Sequence, residues 1–124
     1  MRAGEFLVLP VAANAKIHAG ALVAVNASGY AAPGSTATGL RSAGRAEEQV
    51  DNSGGADGAK NVTVRRGVFK FKNSGADPVG TAHVLGDCYI VDDETVAATD
   101  GTGTRSKAGK VLAVDTDGVW VEIK

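Results

Sequence analysis

The chain is 124 residues long and carries 13 Lys plus Arg against 14 Asp plus Glu, a length suited to one domain and a balance that offers no broad electrostatic case for nucleic acid or an anionic membrane. No apolar run approaches the roughly 20 residues of a membrane helix, and the first hydrophobic stretch breaks at Pro10 without a signal-peptide layout, so a protein made and kept in the cytoplasm is the default expectation. Alanine supplies 21 residues and glycine 17, while Val, Ile, Leu and Phe together supply 28, just above the roughly 20 % of chain length below which sequences tend toward disorder.

Glycine raises the backbone entropy lost on folding, and alanine buries little area to offset it. A thin core that wants a partner surface is therefore expected. Sixteen valines against six leucines favour strands, because β-branched side chains suit a pleated surface. The single Cys88 excludes an intramolecular disulfide.

In chain order, Phe6-Leu7-Val8-Leu9-Pro10-Val11 reads as an edge strand or an extended arm, since Pro10 cannot donate to a ladder. Leu22-Val23-Ala24-Val25, the turn Asn26-Ala27-Ser28-Gly29 and Tyr30-Ala31-Ala32 read as strand, tight turn and return strand. Residues 33–38 form a small-residue loop and residues 39–46 another candidate strand. Residues 49–60 are polar and glycine-rich, which predicts an exposed loop. Asn61-Val62-Thr63-Val64-Arg65 and Val68-Phe69-Lys70-Phe71-Lys72 both alternate, but the apolar parity changes across Gly67, and a one-residue β-bulge there would restore a single apolar face. Residues 73–78 are a turn cluster, and residues 79–85 are one helical turn or irregular.

Asp87-Cys88-Tyr89-Ile90-Val91 reads as a strand closed by Asp92-Asp93-Glu94, and residues 95–106 as a second long polar loop. The chain then ends in a hairpin around Asp115-Thr116-Asp117-Gly118, where Gly accepts positive φ without steric cost. Val119, Val121 and Ile123 alternate with Trp120 and Glu122, so the only tryptophan stands on the side opposite the valine row. Strands spaced by turn signals predict an all-β domain spanning residues 1–124, a small Gly/Ala-rich barrel or sandwich with residues 1–12 as a possible arm.

The candidate chemistry is weighed and set aside. An EF-hand beginning at Asp115 would need its bidentate Glu beyond Lys124. Gly101-Thr102-Gly103-Thr104-Arg105-Ser106 has Ser106 where a dinucleotide fingerprint needs its third glycine, and no helix pattern follows. His83 and Cys88 suggest a base and a nucleophile, yet nothing orients them. Two histidines and one cysteine fall short of a four-ligand zinc site. Asp92-Asp93-Glu94 reads as a solvated turn. Arg65-Arg66 with Lys70 and Lys72 forms a local basic strip that either faces water or contacts an acidic protein surface. No enzyme, cofactor or metal is expected.

Asp92-Asp93-Glu94-Thr95-Val96-Ala97, Gly101-Thr102-Gly103-Thr104-Arg105, Ala108-Gly109-Lys110-Val111 and Asp115-Thr116-Asp117-Gly118-Val119-Trp120-Val121 together resemble the small capsid decoration, or cement, proteins encoded beside the major capsid protein in tailed bacteriophages and prophages. The resemblance is closest over residues 86–124 and looser over residues 19–25 and 66–69. It implies a β-barrel or tulip-like sandwich on the outer surface of the virion head, synthesised in the bacterial host cytoplasm. It further implies contact with the major capsid protein, self-association as a dimer or trimer, and no direct contact with nucleic acid or membrane. Phe6, Leu7, Val8 and Leu9 are the first candidates for a segment that adds to a capsid strand edge. Arg65, Arg66, Tyr89 and Trp120 are further candidates for capsid or subunit contact, with Trp120 either in the core or at an interface. The competing expectation is a fibre-type receptor- or glycan-binding module, which six aromatics spread through the chain favour little.

Overall fold

The computed structural model describes residues 6–123, and residues 1–5 of the expected arm lie outside them. In chain order the strands are β1 (Phe6–Pro10), β2 (Lys16–Ile17), β3 (Leu22–Val25), β4 (Ala31–Pro33), β5 (Arg41–Ala46), β6 (Val50–Asp51), β7 (Asn61–Arg65), β8 (Gly67–Asn73), β9 (Asp87–Ile90), β10 (Thr95–Ala97), β11 (Lys107–Asp115) and β12 (Gly118–Ile123), with one 3-10 turn at Thr81–His83. The second half closes into a five-stranded barrel, β10-β8-β12-β11-β9. The first half forms a five-stranded sheet, β1-β7-β5-β3-β4, with the short pair β2-β6 beside it. An all-β architecture is what alternating valines and frequent turn residues predict.

The barrel interior is filled rather than hollow, as expected for so few strands. Phe69 and Phe71 from β8, Cys88 and Ile90 from β9, Val96 from β10, Val111 from β11, and Val119, Val121 and Ile123 from β12 all point inward. A second core, formed by Val11, Ile17, Val23, Ala31, Ala43, Ala46, Val50, Val62 and Val64, lies on the far side of the sheet. β3 is the wall between them: Leu22 and Ala24 belong to the barrel core, and Val23, between them, to the second.

This two-core plan corrects the expected bulge at Gly67. β7 pairs with β1 and β5 in the sheet, whereas β8 pairs with β12 and β10 in the barrel. The parity change across Arg66 and Gly67 hands Val62 and Val64 to one core and Phe69 and Phe71 to the other. Register shifts do occur, but elsewhere: β11 shifts against both β12 and β9, and β5 shifts against β3 between Val23↔Gly44 and Ala24↔Ser42. Gly44 has φ +145°, and a Cβ there would strike the Arg65 carbonyl oxygen, so glycine lets β5 and β7 close together.

Two expected loops contain structure. Within residues 49–60, Val50 is buried and Asn52 is 2 % exposed. Its amide donates to the carbonyls of Ala12 at 2.9 Å and Ala56 at 3.0 Å. The buried amide thereby finds its partners in loop carbonyls beside the second core, the condition under which burying an amide is tolerable. Within residues 95–106, β10 closes the barrel by running parallel to β8 and antiparallel to β9. The terminal hairpin forms as expected, yet Gly118 is not among the residues with positive φ. Glycine is needed there because a Cβ would meet the Phe71 carbonyl oxygen on the neighbouring strand.

Candidate functional site

β1 is the edge strand of the sheet and contains no charged residue. Its side chains alternate between two environments. Leu7 and Leu9 stand opposite Val64 and Val62 on the second-core face, and Leu9 packs against that core. Phe6 and Val8 stand on the other face, 58 % and 66 % exposed. The four candidates of β1 thus divide into an outward pair and an inward pair, and Leu7 does not share the surface of Phe6.

The outward face is the same face that the barrel covers further along the sheet. Leu22, Arg45, Arg65 and Phe6 form one cross-strand row over β3, β5, β7 and β1. Leu22 lies in the barrel core, and Arg45 stacks its guanidinium 4.5 Å from the centroid of the Phe69 ring while pairing with Glu47 at 3.6 Å. Beyond that point the barrel no longer covers the sheet. What remains is a surface of Phe6 and Val8 with Arg65 and Thr63 opposite them. Arg65 and Arg66 are both half-buried, and the Nε of each is shielded without a hydrogen bond among the described residues. The rest of the expected basic strip is neutralised locally: Lys70 pairs with Asp115 and Asp117, and Lys72 pairs with Glu94 at 2.9 Å.

The phase of the ladder fixes which backbone groups of β1 are free. Val11 N donates to Lys60 O, and on the other side of β7 Glu47 N donates to Thr63 O. In an antiparallel ladder the bonded pairs alternate. Leu9 and Leu7 therefore exchange bonds with Val62 and Val64, while the N–H and C=O of Phe6 and Val8 point to an edge that no other described strand occupies. Past Pro10 the edge closes, because Val11 bridges Ala31 and Ala12 N donates to Ala31 O.

Trp120 and Tyr89 belong to the barrel wall, away from the β1 ladder. Trp120 lies outside the barrel between buried Val119 and Val121, 38 % exposed, so the tryptophan is not a core residue. Its Nε1 donates to Asp115 at 3.3 Å, and the Lys70 ammonium sits 5.7 Å from the ring centroid. Asp115 also accepts from the N–H groups of Asp117 and Gly118. The Asp117 N–H first, then Lys70 and Trp120, hold its carboxyl below the usual range. The would-be calcium ligand is thus used in the turn. Tyr89 is half-buried on the outer side of β9, opposite Ala97 and Lys107.

The remaining chemical candidates have structural work. Burial pushes the Cys88 thiol up to about 12, which leaves it protonated and unreactive at neutral pH. His83 Nδ1 accepts from Gly80 N. Asp77 accepts from the Thr99 hydroxyl and backbone N–H and pairs with Arg105 at 2.9 Å, so Thr99 first and then Arg105 lower its carboxyl. Among the described residues, no group of three or more His, Cys, Asp or Glu is placed to hold a metal ion. Sequence reasoning missed one exposed apolar tip, Val84-Leu85, where Leu85 has φ 71° and is 70 % exposed. The preceding helical turn and the following Gly86 are the only sequence signs of that sharp loop.

Comparison with protein-family models, with curated proteins and with solved structures gives no match.

Proposed function

We propose that this chain is a capsid decoration protein that binds the outside of a tailed-phage head and stabilises the lattice of the major capsid protein. The observation that carries the reading is the uncovered face of β1 and β7, where Phe6 and Val8 adjoin Arg65. Apolar anchors beside arginine are the composition that dominates protein–protein contacts. The ordered motifs of residues 86–124 that resemble decoration proteins support the same reading. The finer architecture it implies is a tulip-like sandwich; residues 6–11 of the expected arm are instead the first strand of the sheet and its continuation into the second core. Mechanically, binding the expanded lattice but not separated subunits adds free energy against internal DNA pressure, and many weak copies suffice through avidity.

A second reading, a fibre-type glycan-binding module, draws on Trp120, whose exposed ring is held by Lys70 and Asp115. One experiment separates the two. Expanded heads lacking a decoration protein are mixed with this chain, and co-sedimentation and heat resistance are measured. Saturable binding that Phe6→Ser with Val8→Ser weakens at least tenfold, and that Trp120→Ala leaves within threefold, supports decoration. Absence of saturable head binding, with glycan retention lost in Trp120→Ala, contradicts it.

A further inference from the structure

The free edge of β1 is short, uncharged and self-complementary, and we propose that it pairs antiparallel with the same edge of a second copy of this chain about a two-fold axis at Leu7. In that register the Phe6 N–H donates to the Val8 carbonyl of the second copy, and the Val8 N–H of that copy donates to the Phe6 carbonyl. The symmetric pair repeats both bonds, so the outward N–H and C=O groups of Phe6 and Val8 are all used. The alternative register centred on Val8 sets Phe6 against Pro10, which has no N–H to give.

Three features favour a second copy over another strand. The bridge from Val11 to Ala31 limits the open edge to Phe6–Leu9, long enough for the symmetric pairing of Phe6–Val8 with its copy and for little more. No charge stands on Phe6–Pro10, so self-pairing sets no like charges opposite each other. Phe6 faces Val8 across the axis on the exposed side, an aromatic against a β-branched residue, which is a favourable cross-strand pair. The pairing also joins two outward faces into one patch with Phe6, Val8 and Arg65 from each copy. It stands independently of the capsid reading and is tested on the protein alone.

The two exposed side chains offer roughly 200 Å² per copy, well under the roughly 800 Å² per partner of stable complexes. The dimer is therefore weak and reversible. Sedimentation equilibrium from about 10 μM to about 1 mM should show the mass rising from 12.5 kDa toward twice that value. Val8→Pro removes an outward N–H while leaving the bonds to β7, as Pro10 already does, and should weaken dimerisation at least tenfold with the thermal midpoint nearly unchanged. Val8→Ala, which keeps the N–H, should dimerise within about fivefold of wild type. Leu7→Cys serves as a check that does not depend on the proline variant folding. Non-bonded antiparallel pairs bring Cα atoms about 4.5 Å apart, within disulfide reach, so Leu7→Cys should cross-link faster under mild oxidation than Val8→Cys. A mass that stays at 12.5 kDa through 1 mM, folded Val8→Pro dimerising like wild type, or Val8→Cys cross-linking faster than Leu7→Cys would each overturn the proposal.

Discussion

The two cores of this molecule differ in what fills them and in how their strands end. In the barrel, two phenylalanines from β8 occupy the centre, and every strand has a neighbour on both sides. In the second core the largest fully buried side chain is Ile17, and alanine supplies three of the nine buried positions. That core depends on backbone fit at Gly44 and on the buried amide of Asn52, and its sheet keeps an open edge at β1. Closure removes edges as sites for pairing with other chains, whereas an exposed edge retains them. The barrel is thus suited to be the scaffold, and the thin-cored sheet carries the surface available to a partner.

The largest expected effect comes from emptying the barrel. Phe71→Ala, at a site 4 % exposed, should cost about 4 kcal/mol in denaturant unfolding. Because β3 serves both cores, the loss should appear as one transition seen alike by Trp120 fluorescence and by methyl resonances of Val64. Separate midpoints would make the two cores independent units and break the comparison. Asn52→Ala should cost about 1 kcal/mol by removing the hydrogen bonds to the Ala12 and Ala56 carbonyls, again in that single transition. A loss under about 0.5 kcal/mol would mean the second core does not need its amide.

The smallest effect sharpens the contrast through pH. The Asp77 carboxyl is lowered in the folded state, by Thr99 first and Arg105 after it. A group whose folded value lies below its unfolded value stabilises fully above the ordinary carboxyl value near 3.8, and that contribution fades as pH falls through the folded value. Asp77→Asn should therefore flatten part of the stability loss below about pH 4, with Asp51 and Asp115 supplying the remainder. Asn52→Ala, which removes no titrating group, should leave the slope unchanged.

Most strands were legible because alternation and turn residues act locally. Phe6 and Val8 on one face, Leu7 and Leu9 on the other, and Trp120 opposite the valine row all follow from the period of two. Alternation reports that a side chain is buried but not in which core, so Val64 and Phe69 read as one face interrupted rather than as two interiors. Asn52 was hidden because a polar residue in a glycine-rich run signals a loop, and its burial depends on carbonyls about 40 residues earlier. β10 was hidden because three residues beside an acidic turn carry little pattern, and its partner β8 is distant in sequence. The candidate surface was half legible. Pro10 marked the edge strand, but only the register showed which groups of β1 remain free.

The claim that β1 is an open edge which a second copy fills is tested most directly by amide hydrogen exchange, residue by residue, at low and high protein concentration. At about 10 μM, the amides of Leu7 and Leu9 should be protected by β7 while those of Phe6 and Val8 exchange freely; near 1 mM the latter two should slow selectively. Phe6 and Val8 protected already at low concentration, or unprotected at both, would contradict the account.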